Sequence, residues 1–145
     1  ADREVVMAAV SENGLALAYA SELLRNNQKV VMAAVSENGL ALRYASVGLR
    51  RDRKVVMAAV KQNGLALQHA SEDTMKQNPE VVLAALQQNI EAQKYVPDSF
   101  ENWRQSNETS SLSPEVIGIY KKISTLLKRQ DQENSCLSLS CLRRR

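Results

Sequence analysis

The sequence is poor in aromatic residues, which make up 4% of its 145 residues and include one Phe and one Trp. Alanine and aliphatic side chains must therefore provide most of the packing, and such a core suits helices better than a sheet sandwich. No apolar run approaches the roughly 18 residues that a membrane-spanning helix requires. We therefore expect a soluble, all-α protein.

Cysteine and histidine are scarce as well. The two cysteines, Cys136 and Cys141, are too few for a disulfide framework and lack the partners of a zinc site, so a reducing compartment is expected. No phosphate-binding loop, metal-ligand spacing or nucleophile-base motif is present. The pattern predicts no cofactor, no metal and no catalytic residue, and hence a protein that is not an enzyme.

The chain instead repeats one phrase. VVMAAVSENGLAL occurs at 5–17 and at 30–42, VVMAAVKQNGLAL follows at 55–67, and VVLAALQQN begins at Val81. Spacings of 25, 25 and 26 residues are typical of a repeat array rather than of a single wound core. The predicted array covers 1–97, and its units span 2–26, 27–51, 52–77 and 78–97.

Each unit contains a start signal and a stop signal. The residue before each helical run has a side chain that can cap the first turn of the helix. These residues are Asp2, Asn27, Asp52 and Asn78. In the fourth unit Pro79 follows Asn78 at the first helical position, which proline prefers. Asn-Gly then predicts that the first helix ends after about ten residues on a left-handed glycine, with a second helix of similar length after it. The expected fold is a short α-solenoid of two-helix units.

The fourth unit departs from this pattern. Ile90 replaces the glycine and polar residues replace both leucines, which favours a capping repeat in which either Asn89 is left-handed or the helix continues. A polar linker is predicted at 98–113, with Phe100 and Trp103 docked on the stack or forming a peptide-like motif. An amphipathic helix follows at 114–130. The basic tail at 131–145, with Cys136 and Cys141, is predicted as a dynamic end or an expression remnant, and a palmitoylated anchor is the less favoured alternative.

Positions that differ between units predict the solvent face, where binding specificity would lie. The candidate partner-binding surface consists of Lys29, Arg43, Arg50, Arg51, Arg53, Lys54, Lys61 and Gln68. The favoured function is protein–protein interaction with a partner that the sequence does not name. One alternative is binding of nucleic acid or another anionic surface by the basic patch from Arg50 to Lys54, although interleaved acids weaken its field. Another is an accessory domain of an enzyme whose catalytic part lies elsewhere in a longer protein.

The single histidine, His69, occupies the repeat position at which the other units have tyrosine, namely Tyr19, Tyr44 and Tyr95. A ring that replaces another ring in a packed ladder explains it more simply than a catalytic role.

At VVMAAVSENGLALAYASELLRNN and its copies, over about Asp2 to Val96, the sequence resembles the tandem helical repeat family called domain of unknown function 4116. Its members carry a similar D-x-E-V-V-x-A-A-V-x-x-N-G-x-A-L-x-x-A-S pattern. The family occurs in protists and in intracellular bacteria, including bacterial effectors. The resemblance thus implies a helical repeat architecture and makes an effector, acting on a host protein in the host cytoplasm, an expectation.

Overall fold

The computed structural model describes residues 2–97 and 114–142. Within these ranges all regular structure is helical. The elements in chain order are α1 (Arg3–Glu12), the 3-10 helix η1 (Gly14–Tyr19), α2 (Glu22–Arg25), α3 (Gln28–Glu37), η2 (Gly39–Tyr44), α4 (Arg53–Gln62), η3 (Gly64–His69), α5 (Glu72–Gln77), α6 (Pro79–Gln88), η4 (Ile90–Tyr95) and α7 (Pro114–Leu142).

The repeats stack in rows. The four ten-residue helices α1, α3, α4 and α6 lie side by side, and the 3-10 helices η1 to η4 form a second row packed against them. Isolated helices this short are marginal in water, so their stability comes from the neighbouring units. One leucine from each of the first three 3-10 helices is fully buried between the rows, at Leu17, Leu42 and Leu67. The predicted all-α array of tandem repeats is confirmed.

The long helices match the predicted length of about ten residues, but the predicted second helix of similar length is wrong. In its place each of the first three units has a six-residue 3-10 helix followed by a short third segment. This third segment is α2 in the first unit, a turn at 47–51 in the second and α5 in the third. Ala20 and Ala45 are extended, with ψ of 151° and 153°, and separate the two segments. A 3-10 helix has poorer hydrogen-bond geometry than an α-helix and is rarely long, so its early end is expected.

The prediction that a left-handed glycine ends the first helix is also wrong, because no glycine among the described residues has a positive φ. Gly14, Gly39 and Gly64 are buried, and a Cβ atom on any of them would lie less than 3.0 Å from a carbonyl oxygen of the next unit. These oxygens belong to Ala34, Ala59 and Ala85. Glycine is therefore required by the close approach of successive units.

The asparagine before each glycine has a role of its own. Its backbone is extended, and its side-chain oxygen accepts a hydrogen bond from the amide two residues later, as at Asn38 and Leu40 with a distance of 3.0 Å. Asn89 does the same in the fourth unit with φ of −150°, and α6 ends at Gln88. Neither geometry left open for this unit therefore occurs. Ile90 is accommodated where, among the described residues, no further repeat packs against η4.

The predicted helix starts are confirmed in part. Asn27 and Asp52 cap α3 and α4 through their side chains, and Pro79 occupies the first turn of α6. The caps predicted at Asp2 and Asn78 are wrong, because neither side chain accepts a bond from its helix. The Asn78 side-chain nitrogen Nδ2 instead donates to the Thr74 carbonyl at 3.1 Å.

Helix α7 packs against α6, the last long helix of the array, and Ile123 is buried there. The predicted start of this helix is confirmed, but the predicted end at residue 130 is wrong because the helix continues to Leu142. The predicted linker, with Phe100 and Trp103, lies outside the described residues. The thiol of Cys136 is exposed and free.

Candidate interaction surface

Hydrogen bonds between successive units hold the stack in register. The Gln62 side-chain oxygen accepts from the Gly39 amide at 2.7 Å, and its nitrogen donates to the Glu37 carbonyl at 3.0 Å. Gln88 accepts from the Gly64 amide at 2.5 Å in the next unit. The side chains on the outside of the array are therefore presented from a backbone with fixed spacing.

The short third segments contain a pair of equivalent arginines, Arg25 and Arg50. Their carbonyl oxygens accept hydrogen bonds from the amides of Ser46 and Ser71, at 3.0 Å and 3.2 Å, in the following unit. The Nε atom of each arginine is buried and makes no hydrogen bond to any described residue. Buried polar groups in folded proteins are nearly always partnered, so these two donors are an exception.

Neither arginine is paired with a carboxylate. In the described part of the chain, no Asp or Glu oxygen lies within 4.0 Å of either guanidinium. An arginine side chain cannot be deprotonated in a protein and has five N–H donors. Arg25 and Arg50 therefore carry positive charge that no described carboxylate offsets, at matching positions of two successive units, and the unpartnered Nε atom of each is buried.

Each 3-10 helix ends with a ring side chain, so the stack carries a row of rings consisting of Tyr19, Tyr44, His69 and Tyr95. Tyr44 and His69 are half-buried, and the guanidinium of Arg43 lies 5.1 Å from the centre of the Tyr44 ring, within cation-π range. Tyr19, in contrast, is 93% exposed. The predicted packed ladder of rings therefore does not extend to the first unit.

The electrostatics of His69 place it beside two arginines. Burial lowers the pKa of His69 below its ordinary value, and the positive charges of Arg43 and Arg50 lower this pKa further. Because its pKa is lowered, His69 is mainly neutral at pH 7. We call Arg43, Tyr44, Arg50 and His69 the basic ring cluster.

Two cations of the predicted surface are already engaged. Arg53 forms an ion pair of 2.6 Å with Glu80 of α6, and Arg51 lies 4.0 Å from Asp73 of α5. These pairs are mostly exposed, and such pairs contribute little to stability. They do reduce the free positive charge of the patch from Arg50 to Lys54.

The other predicted residues lie on separate parts of the array. Lys29 and Lys54 are exposed at the first turns of α3 and α4, whereas Lys61 is exposed at the last turn of α4. Gln68 precedes His69 on η3, and its side chain donates to the Leu65 carbonyl at 3.1 Å. The structure therefore groups only Arg43, Arg50 and Gln68 of the predicted set around the row of rings.

The sequence prediction missed Arg25. The spacing of 25 residues between Arg25 and Arg50 was a signal that could have found it, since the flanking units match in register. The stronger signal is the buried Nε atom without a partner, and only the tertiary structure shows it.

The basic character changes along the stack. In the third unit the position of Arg25 and Arg50 is occupied by Met75, which is buried. Met75, Glu72 and Tyr95 contribute to a cavity of about 420 Å³ between α5 and the end of η4. This repeat position is therefore an arginine in the first two units only.

Exposed apolar side chains are concentrated on the same rows. Among the described residues, Tyr19, Leu23, Val47 and Tyr95 are large and exposed on the 3-10 helices or the third segments, and Val5 of α1 is the one such residue on the long helices. Exposed apolar groups next to arginines and tyrosines are typical of protein-binding surfaces.

Other kinds of site receive less support from the structure. Residues 2–97 and 114–142 contain no group of three or more His, Cys, Asp or Glu side chains arranged to hold a metal ion. In the same ranges no helix has the length and apolarity needed to cross a membrane. A second cavity, of about 360 Å³, lies between α6 and α7 and is lined by Leu83, Leu126, Lys121, Lys122 and Arg129 among others.

The fold and surface define an all-α solenoid of tandem repeats with outward-facing variable side chains. The family model for DUF4116, a domain of unknown function, matches residues 2–50 and 52–101. Each match covers two of the 25-residue units. The chain belongs to this family. No curated protein matches the chain, and no solved structure does.

Proposed function

We propose that the array is a non-catalytic protein–protein interaction module that binds its partner through the rows of 3-10 helices and third segments. The observation that carries this proposal is that exposed rings and apolar side chains share these rows with arginines that have no carboxylate partner. Tyrosine and arginine are enriched where proteins bind one another. A stack held by buried glycines and inter-unit hydrogen bonds presents them with little conformational entropy to lose on binding.

The repeat also separates scaffold from surface. Valines at equivalent positions of α3, α4 and α6 are fully buried, whereas the residue before each ring changes from Arg43 to Gln68 to Lys94 and is exposed. A constant core with varying exposed positions allows binding specificity to differ between arrays without loss of the fold.

Nucleic-acid binding is less well supported. The ion pairs of Arg51 and Arg53 leave fewer free cations in the predicted patch, and strong binding to phosphates depends on many of them. An accessory role in a larger enzyme stays a prediction, since it depends on residues outside this chain.

The test is selection of peptides and protein fragments from a display library by the purified chain. We expect selected ligands to lose binding to a variant with Arg43→Ala, Arg50→Ala and Gln68→Ala. We expect the same ligands to retain binding to a control with Lys128→Ala and Lys121→Ala on α7. Far-UV circular dichroism must show equal helicity in all three proteins. The proposed surface would be contradicted if no ligand were selected. It would also be contradicted if the selected ligands bound the Arg43, Arg50 and Gln68 variant as well as they bound the control.

A further inference from the structure

We propose that the first unit carries a docking surface for a further unit of the same repeat, placed directly before residue 2 and stacked as the described units stack on one another. In the later units the corresponding surface contacts the preceding unit. We call it the leading face of a unit, and we call the opposite side the trailing face. The inference does not rest on the proposed interaction function, because it concerns the contacts between units.

The same side chains have different burial in the first unit and in the later ones. Val5 is 66% exposed, whereas the valines at its position in the other units are fully buried, namely Val30, Val55 and Val81. Ala9 is also exposed, whereas its counterparts are fully buried, namely Ala34, Ala59 and Ala85. The residue types are identical, so the difference comes from the preceding unit, which only the first unit lacks among the described residues.

The leading face of the first unit also contains a backbone donor without a protein acceptor. The Ser46 amide donates to the Arg25 carbonyl of the preceding unit at 3.0 Å. The Ser71 amide donates in the same way to the Arg50 carbonyl at 3.2 Å. The Ser21 amide has the same repeat position and donates to no described residue. A unit stacked on this face would supply the acceptor from its own third segment.

The glycine contact defines the shape of the occupant. Gly14, Gly39 and Gly64 lie on the trailing faces of their units, and a Cβ atom on any of them would lie less than 3.0 Å from an alanine carbonyl oxygen of the next unit. The Ala9 carbonyl has the equivalent position on the first leading face, and no glycine of the described chain lies against it. The complementary occupant therefore has a glycine at this point, as the trailing face of an Asn-Gly unit does.

A second copy of the chain does not provide this trailing face. Its first three trailing faces are covered by the units that follow them, and in the fourth unit Ile90 occupies the glycine position while α7 packs against α6. Two-fold pairing of two first units also fails, because Gly14 and the Arg25 carbonyl lie on the opposite side, against the second unit. The matching occupant is an additional repeat unit, whose interface is one that this chain already forms three times.

The connection between units determines how such a unit can be supplied. Asn26 ends α2 and Asn27 is the N-cap of α3, so one unit follows the other without a linker. The experiment therefore joins a second copy of residues 2–26 directly before Asp2 of the full chain. We call the product the five-unit chain. In it the added glycine is expected to meet the Ala9 carbonyl, and the added third segment is expected to accept from the Ser21 amide.

Two measurements report whether the added unit stacks. Hydrogen exchange of the Ser21 amide, followed by NMR, should slow by at least about 10-fold when this amide gains an acceptor. The urea midpoint should rise by about 0.5 M or more, because a repeat array gains one interface with each unit. The matched control is a five-unit chain with Gly14→Ala in the added copy alone. It is expected to return both values to those of the unmodified chain.

Val5→Ala reports the burial of the leading face directly. In the unmodified chain Val5 is mostly exposed, and alanine is the better helix former, so the urea midpoint should stay the same or rise slightly. In the five-unit chain the same substitution removes buried methyl groups and should lower the midpoint by about 0.5 M or more. The opposite signs distinguish stacking of the added unit from a general effect of a longer chain.

Three results would each overturn the proposal: unchanged exchange of the Ser21 amide in the five-unit chain, equal stabilisation by the control with the added alanine, or the same effect of Val5→Ala in both chains. Sedimentation velocity of the unmodified chain tests the other occupant. We expect a monomer, and a dimer that Val5→Asp dissociates would overturn the proposal in favour of a second copy.

Discussion

Replacing Gly39 by alanine tests whether glycine is needed for close packing or for a special backbone conformation. A Cβ atom at Gly39 would lie less than 3.0 Å from the Ala59 carbonyl oxygen and 3.1 Å from the Asn63 Cβ. The first of these atoms belongs to the backbone of α4, so relief requires the next unit to move away. Forcing extra atoms into a packed core typically costs about 1–3 kcal/mol, and a contact with backbone favours the upper part of that range.

The assay is urea unfolding followed by circular dichroism. With a slope of about 2 kcal/mol per molar urea, a loss of 2 kcal/mol lowers the unfolding midpoint by about 1 M. Gly48→Ala is the matched control, because no atom lies within 4 Å of the added Cβ and φ is not positive. We expect this control to be neutral or to stabilise the protein by about 0.4–1 kcal/mol.

Gly39→Asn separates the two explanations further. Asparagine tolerates the left-handed region better than alanine, so a conformational requirement predicts that Asn is the milder substitution. Close packing predicts that Asn is at least as destabilising as Ala. An unchanged midpoint for Gly39→Ala, or a clear recovery in Gly39→Asn, would refute the packing explanation.

Three further predictions concern single side chains. Gln62→Ala removes both inter-unit hydrogen bonds of this residue and is expected to lower the free energy of unfolding, measured in urea, by about 1–3 kcal/mol. Its control is Gln68→Ala, which loses one exposed hydrogen bond within its own unit and should change this free energy by less than about 0.5 kcal/mol. Asp52→Ala removes a side-chain cap and should cost about 1 kcal/mol, while Asp2→Ala should be near neutral because no such cap exists there; equal losses would contradict the capping geometry. Because the pKa of His69 is lowered in the folded state, the unfolded chain binds this proton more readily. The contribution of His69 to stability is therefore complete above about pH 6.5 and falls as the pH decreases below this value. His69→Tyr should show a shallower loss of melting temperature between about pH 7.5 and 5.5 than the unmodified protein, and identical slopes would contradict the assignment.

Much of the local structure was predictable because it depends on neighbours in the chain. Asp52 and Pro79 mark helix starts through interactions within one turn, and the ten-residue length of α1, α3 and α4 follows from the position of Asn-Gly. The caps at Asp2 and Asn78 were wrong although their residue types are suitable. Residue type makes a cap possible, whereas the side-chain torsion that forms it depends on the surroundings, as the bond from Asn78 to Thr74 shows.

The candidate site was predictable only in part. Variation between units identified exposed positions such as Arg43 and Gln68, but it could not distinguish Arg53, which pairs with Glu80 across 27 residues, from Arg50, which has no carboxylate partner in the described chain. Partners from different units decide this difference. Their distance along the sequence carries no local signal.

The sequence by itself determined that the protein is a tandem all-α repeat, because a 25-residue period, repeated caps and Asn-Gly pairs are visible in the chain. Only the tertiary structure decided why Gly39 is glycine and which arginines have a carboxylate partner. The physical reason is that each of these depends on contacts with the next unit. The hydrogen bond from Gly39 to Gln62, for example, joins residues 23 positions apart.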